Sequence, residues 1–261
     1  MMLHYYINIV GKKLIKGKRS KGGRNNYGRV CVRGVGGGNK RLYRYIDFYK
    51  RVNQFGRIIH ICYDTNRTAK LAVIRYNNGL VSYNILQKNI KINTKIFSGS
   101  YLPKEIEKTD IKNGFSLPIK YMPLFSVLSN IEIRPFKGAV LVRAAETSSV
   151  LIGKDIKNGY LKLRSGWNYK VNNYCMSSVG ANSNRMYNNE VIAKAGKNRA
   201  LGRKPKVRGV AKNPCDHPHG GANGKKNNPV IPKNAWSTVF KWRHTNNKVF
   251  QNIKRRKYKN V

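Results

Sequence analysis

Acidic residues are the scarce resource of this chain, and their placement constrains its folding more than any other feature. Against 53 lysines and arginines stand only 10 aspartates and glutamates, a formal net charge of +43 over 261 residues. No acid occurs among residues 1–46, and only Asp216 follows Glu190. The remaining nine, Asp47 through Glu190, lie in the middle. A chain repelling itself this strongly needs a polyanionic partner, and the pattern reads as a foldable centre with basic arms at both ends. A membrane surface is a poor fit. No apolar run approaches the ~18 residues of a spanning helix, and no long basic amphipathic helix is visible. Nucleic acid is the partner the charge favours, through phosphate contacts and counterion release.

The centre reads as short strands. Residues 57–63 (RIIHICY) and 70–76 (KLAVIRY) are rich in β-branched and aromatic types. Asn77-Asn78-Gly79 then leads into 80–86 (LVSYNIL), a hairpin signal because Asn-Gly tolerates the positive φ angles of a tight turn. The signal recurs at 150–156 (VLIGKDI), Lys157-Asn158-Gly159, 160–164 (YLKLR) and 169–171 (YKV). Such spacing predicts two small barrels, not βαβ units. A break is expected over 101–118, where Pro, Gly and charge mix. From Val191 the apolar periodicity is lost, and that stretch alone buries too little to offset its ordering entropy. It is expected to order only against a partner.

Cys31, Cys62, Cys175 and Cys215 are scattered with no CxxC pair, which fits a reducing compartment. The opening residues are basic and loosely like a transit peptide, but the Tyr5-Tyr6 pair and glycine-rich end fit that poorly. Heavy use of Asn, Lys, Ile and Tyr points to an AT-rich, organellar type of genome.

Three motif regions carry chemistry. The glycine-rich stretch 22–44 fails as a nucleotide loop. Asn39-Lys40-Arg41 stands where a Walker A loop needs Gly-Lys-Ser/Thr, and Asn39 replaces the third glycine of a dinucleotide fingerprint. Its glycines are instead expected to let backbone approach a phosphate chain closely. Arg24, Arg29, Arg33, Lys40, Arg41 and Arg44 would supply charge, and Tyr27, Tyr43 and Tyr45 either stacking or barrel packing. The second region, 213–226 (NPCDHPHGGANGKK), gathers Cys215, Asp216, His217 and His219. Zinc sites draw on spaced ligands held by a scaffold, and hydrolysis needs a positioned nucleophile or second carboxylate. Neither is in view, so a stiff loop is expected, with Asp216 capping local N–H groups and the histidines bonded to a partner. The third region is the tail, with Trp236, Trp242, Arg243, His244 and the run Lys254 to Lys259.

These residues carry a family resemblance. Residues 24–30 (RNNYGRV) and 36–48 (GGGNKRLYRYIDF), then 63–67 (YDTNR), 130–132 (NIE) and the 196–221 block ending in DHPHGG, resemble in order the universal protein two of the large ribosomal subunit, in its bacterial and organellar form. The match covers about residues 22–259. It implies a mainly β protein: a basic extension over 1–23, an OB-like RNA-binding barrel over 24–100, a linker over 101–118, an SH3-like barrel over 119–190 and an rRNA-binding arm over 191–261. It implies binding of large-subunit rRNA near the peptidyl transferase centre, with support for assembly and subunit association. RNA contacts are expected from Arg24, Asn25, Asn26, Arg29, Arg33, Lys40, Arg41, Arg44 and Arg67. In the arm they are expected from Lys194, Lys197, Arg199, Arg203, Lys204, Lys206, Arg208, Asn213, Asp216, His217 and His219. Lys225, Lys226, Arg243, Arg255 and Arg256 complete the set. His217 matches a family histidine proposed as important for peptide-bond formation; since RNA performs peptidyl transfer, the resemblance implies for it a supporting role in rRNA folding near that centre and no catalysis by the chain.

The sequence departs from the family pattern at Asn39, Ala200, Lys212, Cys215, Ala222-Asn223 and Lys225, so contacts made by the family's His, Trp and Glu there are not carried over. Neighbouring ribosomal proteins and the small subunit are the other expected partners, with no membrane and no small-molecule substrate. No cofactor is expected beyond magnesium associated with rRNA. Divergence and residue usage point to a mitochondrial matrix ribosome, with a plastid or bacterial cytoplasm as alternatives. The competing classes are an RNA-processing enzyme using Asp216, His217 and His219, and an architectural DNA-binding protein.

Overall fold

The computed structural model of the chain describes residues 14–103, 110–221, 233–239 and 253–255. It divides into two compact units. One comprises Met1–Lys18, Arg41–Glu190 and Phe250–Val261, the other Arg19–Lys40 and Val191–Val249. The division cuts across the expected boundaries. Residues 24–40 group with the arm and not with the first barrel, and both barrels fall in one unit.

The first barrel is built from β1 (Ile15–Lys18), β2 (Arg41–Arg44), β3 (Gln54–Cys62), β4 (Leu71–Tyr76), β5 (Val81–Ile85) and β6 (Lys95–Ser98). β1 pairs with β2, while β3 lies between β6 and β4, and β4 pairs with β5, all antiparallel. The β4–β5 hairpin turns where Asn-Gly predicts. Gly79 has φ +81° and donates its N–H to the Tyr76 carbonyl, and the Asn78 side chain accepts from Leu80 N–H. β4 is apolar on both faces for a visible reason. Alternation along the strand sends Ala72, Ile74 and Tyr76 into one core cluster, and Leu71 and Val73 into another with Tyr83 and Ile85.

The second barrel uses β7 (Ser116–Pro118), β8 (Val127–Ser129), β9 (Ile131–Glu132), β10 (Ala139–Leu141), β11 (Ser149–Lys154), β12 (Asn158–Leu163), β13 (Trp167–Asn172) and β14 (Met176–Val179). β15 (Ile253–Arg255) adds to β13, and β9 pairs with β10 as a separate ribbon. β7 begins inside the expected linker and joins the barrels edge to edge through a parallel Ser98–Ser116 pairing. One core cluster runs through both, from Ile58 and Phe97 to Leu117, Leu128 and Leu151. This is the mainly β architecture expected, an OB-like barrel followed by an SH3-like barrel.

The second hairpin forms, but its turn is not the Asn-Gly pair. Asn158 and Gly159 are already in β12, Gly159 pairs with Lys154, and Asp155 N–H donates to the Asn158 carbonyl. Gly159 is needed for packing, since a Cβ there would lie 2.7 Å from Ile119 Cγ2.

Buried charge organises this unit. Asp64, fully buried, accepts from Arg44 at 3.2 Å and Arg67 at 2.9 Å. Glu132, also fully buried, accepts from Arg51 at 3.0 Å, from Gly138 N–H at 3.0 Å and from Met176 N–H at 2.9 Å. Lys50 is 3% exposed, and its ammonium donates to Ser178 Oγ at 2.6 Å. Burial pushes the Lys50 pKa down from 10.5 to about 8, against the upward pull of Asp47. Its folded pKa therefore lies below its unfolded one, and between the two the unfolded chain binds more protons. That cost is present in full below the folded pKa and disappears as pH rises through the window. Lys50→Met is expected to be more stable than the wild type near neutral pH, by on the order of 3 kcal/mol. The margin should close between pH 8 and 10.5, as read by denaturant unfolding at several pH values; a margin flat across that window would refute the assignment.

Candidate nucleic-acid interface

The second unit brings together segments from opposite ends of the chain. Residues 24–30 form a small hairpin, with an Arg24–Val30 bridge. Asn25 is spent on it, because its Oδ1 accepts from Tyr27 N–H and Arg29 N–H, each at 3.0 Å. Arg24, Asn26, Tyr27, Arg29 and Arg33 are left exposed. The C-terminal side starts with the short helix Ala195–Ala200, which carries Lys197 and Arg199 on its exposed surface. It ends in a Schellman arrangement: Gly202, at φ +83°, donates to the Arg199 carbonyl, and Arg203 N–H donates to the Asn198 carbonyl.

That turn lays the arm along the glycine-rich stretch. Gly36 N–H donates to Gly202 O at 3.0 Å, Asn39 N–H to Ala200 O at 3.0 Å and Lys204 N–H to Gly34 O at 2.9 Å, around a Val35–Arg203 bridge. The glycines are therefore used for approach to protein backbone. A Cβ on Gly38, at φ +85°, would lie 2.7 Å from both Ala200 O and Gly202 N. The described part of the arm has a defined backbone conformation. It is held by main-chain hydrogen bonds and not by apolar burial; Val35 at the centre of the bridge remains 44% exposed.

The histidine loop is closed in the same way. The Asn213 carbonyl accepts from Asp216 N–H and His217 N–H, the His217 carbonyl from Gly220 N–H, and the Lys212 carbonyl from Gly221 N–H. Backbone carbonyls, not the Asp216 carboxylate, take these N–H groups. His217 Nδ1 accepts from His219 N–H at 3.0 Å, and His219 Nε2 accepts from Lys233 N–H at 2.9 Å. The rings meet edge to face at 4.8 Å. With Nδ1 engaged as acceptor, neutral His217 carries its proton on Nε2. Its pKa is lowered by partial burial first and by nearby His219, Arg33 and Lys212. Gly209 has no room for a Cβ because the His217 ring lies against it. Among the described residues, no three His, Cys, Asp or Glu side chains are gathered as a metal would need.

Lys194, Lys197, Arg199, Arg203, Lys204, Lys206, Arg208, Asn213 and Asp216 are all exposed, as is Lys40. Arg44 and Arg67 are not in this group. Both point to Asp64 in the other unit, with side chains 15% and 18% exposed, so their charge is spent internally. Arg41 donates to the Thr65 carbonyl at 3.5 Å and is half-buried. Tyr43 packs edge to face on Tyr45, while Tyr27 is 89% exposed. Lys225, Lys226, Arg243 and Arg256 lie outside the described residues, as does the side chain of Arg255. Sequence reasoning gave no role to Arg51 or Lys50 and used Glu132 only as part of a motif; the partners of all three are distant in the chain.

Two small barrels and a glycine-clasped basic segment bearing one acid, Asp216, among its described residues define a β-rich protein of the class that presents a basic surface to a polyanion. The comparisons agree. Residues 11–98 match the family described as Ribosomal Proteins L2, RNA binding N-terminal domain, and residues 112–237 match Ribosomal Proteins L2, C-terminal domain. The Large ribosomal subunit protein uL2 of Hyphomonas neptunium is 42% identical over 240 residues, covering 91% of this chain and 84% of its own. Those of Rhodospirillum centenum and Rhodospirillum rubrum are each 41% identical, covering 90% of this chain and 83% and 82% of theirs. The chain belongs to the L2 family of ribosomal proteins.

Proposed function

We propose that this chain is a structural component of a mitochondrial large ribosomal subunit, binding its rRNA near the peptidyl transferase centre and supporting assembly and subunit association. The observation that carries the reading is the clasp that joins residues 34–39 to 200–204. It merges two acid-poor segments into one surface whose exposed arginines and lysines can neutralise phosphates. The relatives' names supply the large subunit. Their alphaproteobacterial origin and the Asn, Lys, Ile and Tyr usage of this chain favour a mitochondrial setting. Neighbouring ribosomal proteins and the small subunit are its other partners. Magnesium at this interface belongs to the RNA.

In this reading His217 offers an Nε2–H donor to RNA and takes no part in bond making. The test is sedimentation of organelle lysates: the chain should travel with large subunits at low salt and leave them at high salt. Finding it only outside ribosomes would sink the proposal. His217→Ala should lower the yield or peptidyl transfer activity of assembled large subunits, while the purified chain hydrolyses no RNA. Fully active subunits from that variant would remove His217 from the interface.

A further inference from the structure

The β9–β10 connection holds an aromatic residue in a position that stability does not explain. Lys137 N–H donates to the Arg134 carbonyl at 3.3 Å, closing a four-residue turn with Pro135 second and Phe136 third. Phe136 has φ +65°. Proline at the second position and a positive φ at the third define a type II turn, whose third position ordinarily takes glycine or asparagine. A bulky side chain there is a conformational outlier. Burial does not compensate, because Phe136 is 70% exposed. Strain held at an exposed residue is a reason to look for function.

The ring is also held in place. The Arg51 guanidinium lies over it, 4.1 Å from the ring centroid. Arg51 is fixed in turn by Glu132 at 3.0 Å and by Ser100 Oγ at 3.3 Å. Glu132 also receives Gly138 N–H, tying down the far end of the turn. One face of the ring is thus covered by a cation already committed elsewhere, and the ring projects with that backing into solvent. Arg134 and Lys137 on either side are exposed, and residues 133–145 contain no acid.

We propose that Phe136 is a stacking platform for an unpaired nucleobase of the large-subunit rRNA, with Arg134 and Lys137 on the adjoining phosphates; this rests on the rRNA-binding reading above. A single exposed ring between two cations matches one base and its backbone, since every base has a face to stack and phosphates follow on either side. The guanidinium behind the ring keeps it from collapsing onto the barrel.

The test uses the full chain and a large-subunit rRNA transcript containing thiouridine, from the genome that encodes the chain. Binding affinity, photocrosslinks and thermal stability are measured for the wild type, Phe136→Gly and Phe136→Trp. Phe136→Gly should fold at least as stably as the wild type, because glycine relieves the turn, yet bind about tenfold more weakly, the loss of one stacked base. Phe136→Trp should keep wild-type affinity, and the wild-type crosslink should map to the peptide holding residues 134–138. Unchanged affinity in Phe136→Gly with no crosslink there overturns the proposal. So does lower thermal stability of Phe136→Gly, which would make the ring structural, or a crosslink in assembled subunits to a neighbouring protein in place of RNA. A wild-type chain that does not bind the transcript at all brings down the rRNA reading and this proposal together.

Discussion

Replacing Glu132 by glutamine should destabilise the barrel unit by about 3–5 kcal/mol, the range for breaking a buried ion pair from one side. The glutamine keeps the shape and loses two things. Arg51, its side chain 16% exposed and its Nε buried without a partner, would keep a charge with no carboxylate to answer it. The two carboxylate oxygens also take Gly138 N–H and Met176 N–H. An amide offers one oxygen, so one of these N–H groups would face an NH2 donor. Thermal unfolding should shift down by about 10 °C. A shift of only a degree or two would mean that the network is a passenger in the fold. Since Arg51 backs the Phe136 ring, the same variant should loosen that turn as well.

Gly38→Ala is expected to act on the other unit and on binding. Its Cβ would meet Ala200 O and Gly202 N at 2.7 Å, both of them backbone, at a φ of +85° that alanine rarely adopts. The hydrogen bonds from Asn39 N–H to Ala200 O and from Gly36 N–H to Gly202 O should part. The two basic segments would then meet RNA as independent pieces, and the advantage of presenting them together disappears. rRNA affinity should fall on the order of a hundredfold, with residues 195–204 becoming open to limited proteolysis. Unfolding of the barrel unit should not move, because Gly38 lies outside it. Wild-type affinity in a variant whose arm is readily cleaved would separate the clasp from RNA binding.

Several features were legible from local sequence. The Asn78-Gly79 turn is one, because its positive φ angle is a local demand that only a few residues meet. The apolar run of β4 is another, since alternation with both faces buried leaves little polar surface to write. The segregation of charge marked the basic surface only in outline. It could not tell Arg203, exposed beside the clasp, from Arg67, which is spent on Asp64 three positions away. The Asn158-Gly159 pair misled for a related reason. Its glycine answers to Ile119 from a distant element, and no turn-forming rule contains that contact.

The sequence alone determined that this protein is a charged β structure with a polyanionic partner, because net charge, hairpin chemistry and strand alternation are properties of single residues and their neighbours. Only the tertiary structure decided which charges are free to act. Glu132 finds Arg51 at a separation of 81 positions and Met176 at 44. The arm finds the glycine stretch through backbone N–H and carbonyl groups, which every residue carries and no residue type advertises. Hydrophobic patterning records what will be buried, whereas a clasp of main-chain hydrogen bonds between exposed segments leaves no such record.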